Sequence, residues 1–134
     1  METLFSNQYL QIFLHRTSHK TLELQWLDFV PSADFRRGIE ELSRLAHQHQ
    51  AKALVADNRL LRALRPVDLE WGGNLIFKGL SELGGRRFAA VESLDAMNRM
   101  GVTAMVANVI PNTKLTSQFF ATIEEARDWA TAPF

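Results

Sequence analysis

The chain of 134 residues contains no cysteine, which removes disulfides, thiolate nucleophiles and thiolate metal ligands together. It also lacks a surplus of either charge, since 15 Lys and Arg balance 15 Asp and Glu. A protein that tracks nucleic-acid phosphates carries a basic excess, so no nucleic-acid partner is expected. The basic pairs Arg36-Arg37 and Arg86-Arg87 read as solvated ends of elements. No long apolar run is present. "MGVTAMVANVI" is too short to span a bilayer and is interrupted by Thr103 and Asn108, so no membrane insertion is expected. The opening "METLFSNQYLQIFL" has no basic stretch ahead of an apolar core, which argues against a signal peptide. A cytoplasmic location follows as the expectation. Repeats, low-complexity tracts and Ser/Gly/Pro linkers are missing as well, so residues 1–134 are expected to form a single domain. Its 46% hydrophobic and 22% charged content suits one folded core.

Hydrophobic periodicity supplies the architecture. In "YLQIFLH" and "TLELQWL" apolar residues alternate with their neighbours, the pattern of half-buried strands. The polar "RTSHK" between them makes an antiparallel hairpin. Pro31-Ser32 opens a helix in which Ser32 is expected to cap the first turn. Phe35, Ile39, Leu42 and Ala46 line one face of that helix, and His47 and His49 suit its negative end. "AKALVAD", apolar throughout, is a strand covered on both faces. Pro66 starts a second helix with Leu69, Gly73, Ile76, Leu80 and Leu83 on one side, and Gly84-Gly85 stops it.

"RRFAAVE" is the next strand, "LDAMNRMGVTAMVANV" a helix weakened at Gly101, and "LTSQFF" the last strand. Thr122 and Glu125 form a capping-box pair at the start of "TIEEARDWA". Trp129, with Ile123 and Ala126, is expected to anchor this closing helix. The order is ββαβαβαβα. It predicts an α/β fold with a mixed sheet that begins as an antiparallel hairpin and continues with parallel strands.

Several segments resemble the STAS-like proteins of the anti-sigma-factor antagonist superfamily, in their small stand-alone bacterial form. They are "DFRRGIEEL", "ALVADNR", Pro66-Val67-Asp68 with Trp71, "GGRRFAAV" and "FFATIEEARDWA". The likeness runs from about residue 9 onward and extends structurally to the CRAL-TRIO lipid carriers. It implies a non-enzymatic regulatory domain that acts through protein contacts. Well-known members carry a phosphorylatable serine at the start of the helix after the central strand. Here that turn, "NRLLRALRPVDLEW", has no Ser or Thr, and the next to follow it are Ser81, late in the helix, and Ser93, after a different strand. A serine switch therefore has no acceptor in the expected place.

Asp57 stands at the expected C-terminal end of the central strand, where ligands of open α/β sheets gather. Without a second acid, base or metal beside it, its expected role is to bond nearby backbone amides. Arg59, Arg62 and Arg65 follow, either as an anion site or as a solvated loop. Asp68 and Glu70 lie in the first turn of a helix, where negative charge is favoured; Asp68 is also a conceivable fixed substitute for a phosphoserine.

Gly72-Gly73 has no following P-loop Lys and Ser, and is expected to let the helix pack closely on the sheet. His15, His19, His47 and His49 do not form an i, i+4 helical pair with an accompanying acid, so they read as surface residues without a metal. No Ser has a nucleophile-elbow context. Met97, Met100 and Met105, with Leu94 and Val102, give the third helix a soft apolar surface suited to a partner or an apolar ligand. The binding candidates are thus Asp57, Arg59, Arg62, Arg65, Asp68, Trp71, Met97 and Met100, with no catalytic residue and no cofactor. The leading expectation is an unidentified protein partner, with a homodimer left open. The alternative is a small apolar or anionic ligand held between the second and third helices.

Overall fold

The computed structural model describes residues 1–134. Its first element is a strand absent from the expected order, β1 (Glu2–Ser6), followed by β2 (Leu10–Arg16) and β3 (Lys20–Trp26). Then come α1 (Ser32–His49), β4 (Ala53–Asp57), α2 (Pro66–Glu82) and β5 (Arg87–Val91). The chain continues with α3 (Ala96–Val109), a single 3-10 turn, β6 (Thr116–Phe120) and α4 (Ile123–Thr131). β1 escapes a period-two search because its register shifts between Thr3 and Phe5. The irregularity sends the adjacent Leu4 and Phe5 both against the main core, so alternation is lost.

The six strands form one sheet in chain order. β1, β2 and β3 pair antiparallel, and β3 through β6 run parallel. This is the expected mixed sheet with one strand added at its edge. Because β3 to β6 advance in one direction, right-handed crossovers put every connecting helix on the same face. α1, α2 and α3 accordingly pack with Leu10, Ile12, Leu22, Leu24, Leu54 and Phe88 in the main core. α4 follows the last strand and has no further crossover to make. It lies on the opposite face, where Ile123, Ala126 and Ala130 cover Ala53, Val55, Ala89 and Val91. β4 is buried at every residue, as its unbroken apolar run predicts.

Local details refine the expectations. Pro31, not Ser32, is the N-cap of α1, and no side chain caps it; the Ser32 hydroxyl is used elsewhere. α3 runs unbroken through Gly101 and is capped by Asp95, which accepts from Met97 N and Asn98 N. Gly84 has φ of 79° and ends α2 in the left-handed region that glycine tolerates. Thr122 caps α4 by accepting from Glu125 N at 3.2 Å, whereas the Glu125 carboxylate accepts from the Thr122 hydroxyl. Gly72 and Gly73 give close packing between helices rather than against the sheet. A Cβ at Gly72 would meet Phe35 of α1, and one at Gly73 would lie 2.3 Å from Met105 Sδ of α3.

Candidate functional site

The strands β3 to β6 end at a common pole that also carries the β4–α2 loop and the starts of α2 and α3. Asp57 is buried there. Its carboxylate accepts from Arg59 Nε at 2.9 Å, from the other end of the guanidinium at 2.7 Å and from Arg59 N at 3.2 Å. A bidentate, charge-assisted pair with a backbone amide bond added closes the turn on itself. The pairing holds the Arg59 guanidinium above its ordinary pKa through the hydrogen bond to Asp57.

At the far end of the same loop, Asp68 is buried and accepts from Ser32 Oγ at 2.8 Å and Arg36 Nε at 3.0 Å. Arg65 Nε adds a longer contact at 3.4 Å. Burial pushes the Asp68 carboxyl up, but the hydrogen bonds from Ser32, Arg36 and Arg65 outweigh it and hold the pKa below the ordinary value. Arg36 also lies 4.6 Å over the ring of Trp71. Ser32, Asp68, Arg36 and Trp71 thus form a clasp between the first turns of α1 and α2. Asp68 is an internal staple, and an inaccessible carboxylate of this kind is not a surface mimic of a phosphate.

The three loop arginines do not converge. A carboxylate at each end of the loop takes its nearest partner, Arg59 going to Asp57 and Arg65 to Asp68. Arg62 is exposed and makes no ion pair. The turn that lacks hydroxyls in sequence gains two in space. Ser32 reaches Asp68, and Ser93 Oγ donates to Leu61 O at 2.6 Å.

Met97 and Met100 do not line the contact between α2 and α3. The helical phase turns Asn98, Val102, Val106 and Val109 inward and leaves Met97 66% and Met100 67% exposed. Leu94 just before the helix is 78% exposed. Leu60 of the β4–α2 loop is exposed too, and Leu94 N donates to Arg59 O beside it at 3.1 Å. The methionine that does enter the groove is Met105, half-buried against Gly73.

Beneath it lies an apolar cavity of about 60 Å³, lined by residues that include Trp26, Phe35, Leu54, Leu69, Phe88 and Met105. The space is therefore walled by the sheet, α1 and α2, with α3 contributing its Val102 and Met105, and is partly open. It does not sit simply between the second and third helices.

A polar cluster on the α4 face has no local signature in the sequence. Glu23 of β3 is 1% exposed. It accepts from Arg127 Nε at 2.7 Å, from the same guanidinium at 2.8 Å, and pairs with His15 Nε2 at 2.9 Å. Burial raises the Glu23 pKa, yet the bonds from Arg127 and His15 prevail and lower it from 4.5 to about 2. His15 is consequently not a free surface residue. His19 is half-buried as well, bonding Ala130 O at 2.8 Å and stacking on Phe134 at 4.1 Å between centroids. No group of three or more His, Asp or Glu is placed to hold a metal ion. No helix is long and apolar enough to cross a membrane.

No protein-family model matches the chain, and no curated protein matches it in sequence. Among solved structures it is similar to an uncharacterised protein of the DUF3478 family with a SpoIIAA-like fold from Shewanella loihica PV-4. The TM-score is 0.60 at 15% identity, over 95% of this chain and 98% of that one. At that identity the likeness is one of fold. The chain has a SpoIIAA-like, that is STAS-like, fold, in agreement with the resemblance read from its sequence.

Proposed function

We propose that this protein works through contact with another protein rather than by catalysis. The observation that carries the proposal is the exposure of Leu94, Met97 and Met100 at 78%, 66% and 67%, next to exposed Leu60. Large side chains left in water together mark interaction surfaces, and methionine adapts to varied partner shapes. Arg62 beside them is unpaired, so a partner with an apolar centre and an acidic rim fits best. Asp57 and Asp68, the carboxylates nearest this pole's loop, are saturated by internal donors. That leaves neither free to act as an acid or base. A regulatory role through such contacts, without a serine switch, is the form that the STAS-like resemblance implies.

The test is a photo-crosslinking residue placed at position 97 and, as a control, at exposed Glu40 on α1. A partner band from position 97 alone, abolished by Leu94→Asp in a protein that melts normally, is expected. Equal bands from both positions would remove the proposal.

A second reading is favoured by the cavity. Its lining is almost wholly apolar, with Asn58 the only polar side chain among 17 residues, and apolar cavities stay dry and admit small apolar molecules. Met105, a flexible side chain resting on Gly73, is the natural door. On this reading the protein holds a small apolar ligand.

A further inference from the structure

A second, polar pocket shares two of its lining residues with the apolar cavity. It lies between the first turns of α3 and the C-terminal ends of β4 and β5, and Asn58, Glu92, Asn98, Arg99, Val102 and Thr103 are among its lining residues. Asn58 and Val102 line both spaces. Two buried carboxamides meet here. Asn98 is 1% exposed; its Nδ2 donates to Arg62 O at 2.9 Å, and its Oδ1 is the one buried side-chain polar atom of the protein without a hydrogen-bond partner. Asn58 is also buried. Its backbone N–H and C=O are taken by Val91 O and Leu61 N, while its side-chain amide bonds to no other residue.

An orphaned buried acceptor costs about 1–3 kcal/mol. Such a group has a physical reason: strain, a functional role, or a water or ion that bonds it. The pocket itself measures about 10 Å³, room for one water-sized group. Whatever satisfies Asn98 Oδ1 there is a single donor: a water molecule, or the donor of a ligand whose remaining atoms occupy the adjoining cavity. Glu92 and Arg99, of opposite sign, both line the pocket, so it prefers neither charge.

We propose that Asn98, with Asn58, forms the polar end of a ligand site whose apolar end is the cavity. The ligand class is a small uncharged molecule, mostly apolar, carrying one hydrogen-bond donor. The proposal rests on the second reading above, that the cavity holds a ligand, and adds what selects the ligand. The cavity is partly open and measures about 60 Å³, less than the roughly 150 Å³ that holds benzene, so a five-membered ring fits there with Met105 displaced. Pyrrole and furan are nearly identical in shape, and only pyrrole carries an N–H donor.

The experiment titrates each into the wild-type protein and follows the side-chain amide resonances of Asn58 and Asn98 and the methyl resonances of Val102 and Met105. Pyrrole is expected to bind at least about fivefold tighter than furan, the ratio that one net hydrogen bond of about 1 kcal/mol gives. It should shift the Asn98 amide where furan does not. Asn98→Leu should bring the two affinities together, and if that variant does not fold, the wild-type comparison still decides. Furan binding as tightly as pyrrole, with the cavity methyls shifting for both, leaves the apolar-ligand reading standing and overturns this proposal. Neither compound moving any of these resonances at tens of millimolar overturns both.

Discussion

The Asp68 carboxylate of α2 accepts the Ser32 hydroxyl of α1 at 2.8 Å, across 36 positions of sequence. The contact joins the first turns of two helices that open in the same way, each with a proline at its start and neither capped by its own side chain. Arg36, lying between Asp68 and the ring of Trp71, completes the joint.

Removing Asp68 should therefore cost more than removing Ser32. Ser32→Ala leaves the carboxylate with Arg36 and Arg65 and is expected to lower stability by about 0.5–1.5 kcal/mol. Asp68→Ala also releases both arginines, but these are open enough to be hydrated, so about 1–3 kcal/mol is expected rather than the full cost of a buried ion. Urea denaturation of the two variants checks the order. A Ser32→Ala protein less stable than Asp68→Ala would contradict the assignment of Asp68 as the hub.

Glu23 makes stability depend on pH. Its folded pKa of about 2 lies below its ordinary 4.5, so its contribution is fully present above pH 4.5 and disappears as pH falls from 4.5 toward 2. A shift of that size corresponds to about 3 kcal/mol. Glu23→Gln should be less stable at pH 7, and the gap from wild type should close through this window. Thermal melts of both proteins between pH 7 and pH 2 measure it. A gap that stays constant would mean that Arg127 and His15 do not hold a charged Glu23.

Trp129 supports α4 from the edge of the small core. It is half-buried, tilted at 47° against Phe120 with 5.7 Å between centroids, and covered by the Arg87 guanidinium at 5.3 Å. A fully buried aromatic costs about 3–5 kcal/mol on truncation; half the burial makes about 2 kcal/mol the expectation for Trp129→Ala. Ala126→Asp, a charge placed beneath the helix, should be worse. Chemical denaturation ranks the two, and an unchanged midpoint for Ala126→Asp would show that α4 is not docked.

What was legible in the sequence follows from how far each signal reaches. Leu10, Ile12 and Leu14, or Phe35, Ile39 and Leu42, state their face within a few residues, so strands and helices could be placed. β1 was lost because a shift at Thr3/Phe5 broke its period. Asp95 is a conventional N-cap residue just before α3 and was open to recognition. Ser32 reads as the cap of its own helix because its real partner, Asp68, is distant in sequence. Glu23 reads as the polar side of an alternating strand; only the return of α4 buries it. The cavity, and the orphaned Oδ1 of Asn98 beside it, arise from the packing of three helices on the sheet and have no local signature.

We hold that Asp57, at the end of β4, and Asp68, in the first turn of α2, are structural acids and that the protein acts by contact. Asp57 tests it most directly. Asp57→Asn keeps one oxygen for Arg59 N and Nε but turns an NH2 donor toward the other end of the guanidinium, so it should lose part of the about 1–3 kcal/mol expected for Asp57→Ala, which frees both the amide and the guanidinium. Both are to be melted and assayed beside wild type in a broad hydrolase and transferase screen. Graded stability is expected, with no activity tied to residue 57. An activity present in wild type and abolished by Asp57→Asn, in a protein of unchanged melting temperature, would contradict it.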